Sequence, residues 1–221
     1  MSYTVVIGDI HGMADMLRRL LRDIDGWLDS HNAKGTAQFI FLGDYIDVGP
    51  DSKGVIDQVR KRQGAGAICL RGNHEQLMID STESHLNEQN FLFNGGASTR
   101  ASLGASFGEA QAWMETLPTF HEDDLRYYVH AGLRPNVPIE QQGDYSRLWI
   151  RDEFLRYRGR FPKYVVHGHT PTIRFNAQKL TPDIRDNRCN VDNGVVIGGP
   201  LSAAIFNKNK TKPIYTYSVK P

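Results

Sequence analysis

The sequence predicts an α/β protein whose sheet opens with parallel strands. Three observations carry that prediction. Short apolar runs alternate from the start with longer amphipathic stretches, five of these runs end in or beside a compact polar motif, and the first amphipathic stretch repeats at helical spacing.

Tyr3–Ile7 reads as a buried strand that runs into Gly8-Asp9-Ile10-His11-Gly12. Over residues 13–28, Met13, Met16, Leu17, Leu20, Leu21, Ile24, Trp27 and Leu28 mark one face of a helix, which Asp29 and residues 32–35 end. Residues 38–42 form a second buried strand, leading into Gly43-Asp44-Tyr45-Ile46-Asp47. Asp51 or Ser52 can cap a helix carrying Val55, Ile56 and Val59. Residues 67–70 are a third strand, followed by Gly72-Asn73-His74-Glu75. This β-α-β-α-β rhythm predicts right-handed crossovers and a parallel sheet. Residues 75–108 read as helix and loop broken by Asn94-Gly95-Gly96, and 109–117 as a helix closed by Pro118. A strand over 125–129 feeds His130-Ala131-Gly132, 148–157 reads as a helix, and a strand over 164–166 feeds His167-Gly168-His169. Residues 190–192, 195–197, 201–207 and 214–219 read as strands, the last two as a hairpin around the polar run 208–213.

The bulk numbers narrow the function classes. A chain of 221 residues suits one domain, here 1–221, with a sizeable core. With 40% hydrophobic and 23% charged residues it has an ordinary globular composition, and a net charge of +1 offers no basic field for nucleic acid and no polybasic run for a membrane. No apolar stretch reaches transmembrane length. The first strand begins too early for a signal peptide to precede it, so a cytoplasmic location is expected, and a monomer. Cys69 and Cys189 make neither a disulfide framework nor a zinc motif, and Cys69 within 67–70 is expected to be a reduced core residue.

The polar motifs gather Asp, His and Asn without cysteine, a ligand set for hard or borderline divalent ions. There are too many ligands for one ion. A carboxylate such as Asp44 can bridge two ions about 3.5–4 Å apart, the arrangement of two-metal phosphoester hydrolysis. Asp9 and His11, two apart in extended chain, would face one ion together. Asn73 offers a neutral oxygen, whereas His74 would point the other way and suits a proton donor, held in one tautomer by Asp47. His130 and His169 would complete a second ion's shell, with His167 in support. Each motif alone has a bland reading as a turn, cap or structural histidine; five at five strand ends do not. His31, His85 and His121 lie outside the motifs and are assigned to the surface. Among the arginines near motifs, Arg71, Arg100 and Arg151 are candidates for phosphate, which guanidinium matches bidentately.

In this order, Gly8-Asp9-x-His11-Gly12, Gly43-Asp44-x-x-Asp47, Gly72-Asn73-His74-Glu75, His130-Ala131 and Gly168-His169 resemble the metal-dependent serine/threonine phosphoprotein phosphatases, above all their small bacterial and phage members such as the phage lambda phosphatase. Arg71 to Asp80, Asn94-Gly95-Gly96, Leu148-Trp149 with Arg151, and Gly168-His169-Thr170-Pro171 extend the likeness over about residues 5–201. The resemblance implies a metallophosphoesterase-type β-sandwich flanked by helices and two divalent ions, manganese first, with iron or zinc as alternatives. It implies that Asp9, His11 and Asp44 hold one ion and that Asp44, Asn73, His130 and His169 hold the other. His74 would be the general acid with Asp47 its partner, Arg151 and Asn73 would meet the substrate phosphate, and a water or hydroxide bridging the ions would attack phosphorus in line. The implied substrate is a phosphoprotein or small phosphoester.

One position departs. The family's second motif reads Gly-Asp-x-x-Asp-Arg-Gly, and its arginine grips phosphate; here Val48 takes that place. A lost charge-assisted contact costs roughly 1.5–3 kcal/mol. Two alternatives stand beside a serine/threonine phosphatase: a dinucleoside polyphosphate hydrolase like the diadenosine tetraphosphatases, and a weakly active phosphoprotein-binding relative.

Overall fold

The structure is a computed structural model, and it describes residues 2–221. Among the described residues, ten strands form two mixed sheets. The first contains β1 (Tyr3–Ile7), β2 (Gln38–Phe41), β3 (Ile68–Cys69), β9 (Leu201–Asn207) and β10 (Tyr215–Val219), in the order β10-β9-β1-β2-β3. The second contains β4 (Phe120–Glu122), β5 (Arg126–Val129), β6 (Tyr164–His167), β7 (Asp183–Ile184) and β8 (Arg188–Asn190), in the order β4-β5-β6-β8-β7. As the rhythm predicts, β1, β2 and β3 pair in parallel. The hairpin β9–β10 then closes antiparallel on the other side of β1.

Strand alternation explains the layering. On β1, Val5 and Ile7 face a helix-side core, while Val6 faces the second sheet. β9 divides the same way, with Ala203 and Ile205 toward the helices and Ala204 and Phe206 toward the second sheet. From that sheet Tyr128, Val166 and Cys189 meet Val6, Ile40 and Leu42 to make the interior between the sheets, and Tyr127, Val129 and Val165 back onto Phe154 and Leu133 outside. Period-2 side chains that are apolar on both faces require cover on both faces, and the result is a sandwich with helices outside it. Both cysteines are buried and free, as expected of Cys69.

Among the described residues, eight α-helices fill the connections. They are α1 (Ala14–Ser30), α2 (Ser52–Gly64), α3 (Asn73–Asp80), α4 (His85–Phe91), α5 (Ala97–Leu103), α6 (Phe107–Glu115), α7 (Asp144–Trp149) and α8 (Asp152–Arg156). α1 buries Met16, Leu17, Leu20, Leu21, Ile24 and Leu28, the face its spacing predicts. Asp51 caps α2 by accepting the Gly54 N–H at 2.7 Å. No helix among the described residues is long and apolar enough to cross a membrane.

Three element expectations are corrected. Residues 148–157 are not one helix: Ile150 is extended (ψ 139°) and Arg151 breaks the chain between α7 and α8. Residues 195–197 form a 3-10 turn, not a strand, because Gly194 and Gly198 on either side take φ of 80° and 90°. The strand expected over 190–192 is instead β8, and it ends at Asn190, leaving Asp192 in a loop.

Candidate metal centre

Four motifs lie just beyond the carboxyl end of a strand and the fifth begins on the last residue of β6, and the two sheets aim these ends at one cavity of about 430 Å³. Asp9, His11, Asp44, Asn73, His74, Arg151 and His169 line it, as do Val48, Arg174 and Asp192. His130, fully buried, stands behind them with its Nε2 3.4 Å from Asp44 Oδ1.

Close loop contact makes the convergence possible. Gly43 has φ +100°, and a Cβ there would meet the Gly72 backbone, while a Cβ on Gly72 would overlap Asp44 Oδ1. Glycine at both positions lets the second and third motif loops touch. Glu75 ties the same loops together: its carboxylate, buried in α3, accepts the backbone N–H groups of Asp44, Tyr45 and Gly72 at 2.7, 2.8 and 2.8 Å. Burial and then the Asp44 charge push the Glu75 carboxyl up to about 8.

Extended geometry does not place the ligands. His11, Asp44, Asp47, Val48 and His169 all have positive φ, five of the seven non-glycine residues that do among those described. Such conformations cost about 1–3 kcal/mol each and persist where the surroundings over-determine them. Asp9 and His11 therefore reach the cavity through a left-handed turn, not from one strand face, and Asn73 and His74 diverge because they open helix α3. Val48 is the worst suited of the five, being β-branched and half exposed at φ 66°. Val48→Asn is expected to stabilise the protein by about 1 kcal/mol in urea unfolding; no gain would mean that the contact between Val48 and Gly95 outweighs the strain.

The donor set fits a divalent cation. Nδ1–H of His11 donates to the Ile46 carbonyl at 2.9 Å, and Nδ1–H of His130 donates to the Leu42 carbonyl at 3.1 Å. A carbonyl can only accept, so Nδ1 carries the hydrogen, and in the neutral ring that burial favours, Nε2 carries the lone pair. His11 Nε2 faces Asp44 Oδ2 at 3.5 Å. His130 Nε2 faces Asn73 Oδ1 at 2.8 Å and His169 Nδ1 at 3.2 Å. Lone pairs are set against lone pairs, which a cation between them resolves. His169 Nε2 is buried without a hydrogen-bond partner among the described residues. Two groups converge closely enough to hold ions, His11 with Asp44 and His74, and Asp44 with His130 and His169, and Asp44 belongs to both.

The electrostatics agree. Asp9, Asp44 and Asp192 are buried, and none makes a lysine or arginine ion pair among the described residues. Burial, then Asp192 and Asp44, hold the Asp9 carboxyl well above its ordinary range. Burial also raises Asp192, to about 7. Burial acts on Asp44 in the same sense, but His130, His74, His11 and His169 outweigh it and hold Asp44 well below the usual carboxylate range. Burial lowers His11 to about 4 and His169 well below its normal value. Burial thus favours neutral rings at His11 and His169, the state in which imidazole binds metal.

Asp9 falls outside both close groups, its two oxygens accepting the His169 N–H at 3.3 and 3.0 Å. His74 differs from the other histidines. Its Nδ1 pairs with Asp47 Oδ2 at 2.8 Å, and its Nε2 lies 3.9 Å from Asp44 Oδ2. Asp47 is itself fixed by Thr99, whose hydroxyl donates to Oδ1 at 2.6 Å. Burial lowers the His74 pKa, but the Asp44 and Asp47 charges overcome it and carry the group up to about 9.

Two arginine candidates leave the site. Arg71 bonds Gln76 and the carbonyls of Glu115 and Leu117, and Arg100 pairs with Glu88. Arg151 remains, donating from Nη1 to the His169 carbonyl at 3.3 Å and to Thr170 Oγ1 at 3.2 Å. His167 is buried beside Phe154, away from the ligands. The site also contains Glu75, Thr99, Asp192 and Arg174, for which the sequence predicts no role. Asp192-Asn193-Gly194 follows β8 as Asp9 follows β1, a sixth motif that the expected strand over 190–192 conceals.

The model of the calcineurin-like phosphoesterases matches residues 3–199. The chain belongs to this family. It is a metal-dependent phosphoesterase with the two-sheet, helix-flanked fold the family shares. The chain is 29% identical over 215 residues to serine/threonine-protein phosphatase 1 of Salmonella typhimurium, spanning 90% of this chain and 89% of that protein. It is 28% identical over 235 residues to the asymmetrical bis(5'-nucleosyl)-tetraphosphatase PrpE of Halalkalibacterium halodurans, spanning 91% and 89%. The crystal structure of a metallophosphoesterase from Sphaerobacter thermophilus shares the fold, with a TM-score of 0.61 at 18% identity over 99% of this chain and 88% of that one.

Proposed function

We propose that this phosphoesterase hydrolyses phosphate monoesters of alkyl alcohols, phosphoserine and phosphothreonine in proteins first among them. The observation that carries this reading is the His74–Asp47–Thr99 chain. An alkoxide is a poor leaving group and needs a proton as it departs. His74 has the means: its Nε2 borders the cavity, Asp47 accepts its Nδ1–H, and the Asp44 and Asp47 carboxylates raise its pKa. A phosphoanhydride, whose leaving group is already a weak base, gains little from such a donor.

Asp9, His11 and Asp44 would hold one divalent ion, and Asp44, Asn73, His130 and His169 the other. Oxygen and imidazole donors without thiolate suit manganese, with iron or zinc possible. When bound, the ions supply charge for the phosphoryl oxygens and a more acidic attacking water. Arg151 binds a phosphate oxygen with the N–H groups its two carbonyl and hydroxyl contacts leave free. Asp192 adds negative charge behind Asp9 and favours retention of the cations.

A second reading has its own support. The tetraphosphatase relative is nearly as similar as the phosphatase relative, and Val48 weakens the match to protein phosphatases. Three substrates separate the readings: a phosphoserine peptide, p-nitrophenyl phosphate and diadenosine tetraphosphate, each with the manganese-loaded protein. The peptide is expected to exceed diadenosine tetraphosphate in kcat/KM by about tenfold or more, equivalent to 1.4 kcal/mol in the barrier. The reverse ranking would make the protein a dinucleoside polyphosphate hydrolase. Tight phosphopeptide binding without turnover would make it a binding relative.

A further inference from the structure

Arg174 stands out once the cavity walls are compared. It lines the same cavity as Arg151 and Val48, and it is exposed there, its guanidinium making no hydrogen bond or ion pair to any described residue. The backbone beneath it is firmly held. Its N–H bonds the Pro171 carbonyl at 3.1 Å, and Thr172 N–H bonds the Asp192 carbonyl at 3.0 Å. Asn193 Nδ2 reaches Thr172 Oγ1 and the Thr181 carbonyl, and Ile173 packs on Gly194. A long cationic side chain is thus carried on a turn tied to the Asp192 loop, next to the candidate metal centre. Its proximity to the other guanidinium is also visible in charge. After burial, Arg174 is the largest influence holding Arg151 below its ordinary pKa. Two guanidiniums on one cavity, neither in an ion pair with a carboxylate, call for an anion between them.

Resting on the phosphoesterase reading, we propose that Arg174 is the second phosphate-binding arginine of this site, supplying from the Thr172–Arg174 turn the guanidinium that the second motif lacks at Val48. The alternative partner for Arg174 is Asp192, but no oxygen of Asp192 lies within ion-pair distance of it, and bound cations would draw on that carboxylate first. Arg174 grips the phosphate undergoing transfer and positions it with Arg151.

The test uses wild type, Arg174→Ala, Arg174→Lys, Val48→Arg and the double variant Arg174→Ala/Val48→Arg, all manganese-loaded with metal content measured. Calorimetry with inorganic phosphate reads affinity, and steady-state kinetics reads turnover. Arg174→Ala is expected to weaken phosphate binding by about tenfold or more, with metal content unchanged and Arg174→Lys intermediate. Val48→Arg alone is expected to gain less than roughly threefold, yet to restore most of the affinity in the Arg174→Ala background, the signature of two groups sharing one role. Unchanged affinity in Arg174→Ala, or equal gains from Val48→Arg in both backgrounds, would overturn the assignment. So would a loss confined to diadenosine tetraphosphate kinetics, which would place Arg174 on an outer phosphate. Failure of wild type to hydrolyse any phosphoester would overturn the phosphoesterase reading while phosphate affinity still decides the role of Arg174.

Discussion

Asp44→Asn is expected to bind fewer than two metal ions per chain and to lose phosphoesterase activity by more than roughly 10²-fold, beyond the cost of losing a ligand's supporting partner. The reason is its place in the site. Asp44 is the residue shared by both groups that could hold an ion, with His11 Nε2 at 3.5 Å from one oxygen and His130 Nε2 at 3.4 Å from the other. An amide keeps the size but removes the charge, and its NH₂ would turn a donor toward a site that needs lone pairs. Elemental analysis after manganese loading reads the ion count, and the melting shift on adding manganese gives a second measure, since a ligand that binds only the folded state raises its stability. Wild type should show that shift and Asp44→Asn little of it. Two ions retained with near-normal turnover would sink the binuclear reading.

The sequence carried the site more clearly than it carried the backbone that builds it. Asp9, His11, Asp44, Asn73, His74, His130 and His169 are legible because each follows an apolar strand, and parallel strands bring their carboxyl ends together. What period and propensity do not encode is how the chain turns after each strand. His11, Asp44 and His169 enter left-handed backbone that no pattern in the sequence announces. The second sheet was hard to see for another reason: β7 pairs only Asp183 and Ile184, too short a run for alternation to register. The helix read across 148–157 fails at Ile150 and Arg151, where apolar spacing continues although the backbone does not. That break puts Arg151 within reach of the His169 carbonyl. Arg174 shows the limit most plainly. An arginine in a polar stretch is usually solvated, and only the packing of its turn on the Asp192 loop brings it to the cavity.

His74→Asn is expected to reduce hydrolysis of alkyl phosphomonoesters by about 10²–10⁴-fold, the range for losing a general acid, while leaving metal content intact. The loss should be smaller on p-nitrophenyl phosphate, whose leaving group departs without much protonation. The comparison matters because geometry alone permits another role. His74 Nε2 stands near Asp44 and His11, close enough to belong with them to a group that could hold an ion. The other ring nitrogen sets His74 apart as an acid. His11 and His130 give their Nδ1–H to neutral carbonyls, and burial favours the neutral ring, which leaves Nε2 a lone pair. His74 gives its Nδ1–H to a carboxylate that Thr99 holds in place, and a buried carboxylate favours the doubly protonated ring. A cationic imidazole donates a proton and repels a metal. Equal losses on the two substrates would remove the acid role, and loss of an ion from His74→Asn would move His74 among the ligands. Thr99→Val offers a gentler check on the same logic. It unfastens Asp47 without touching His74, so its smaller loss should follow the same dependence on leaving group.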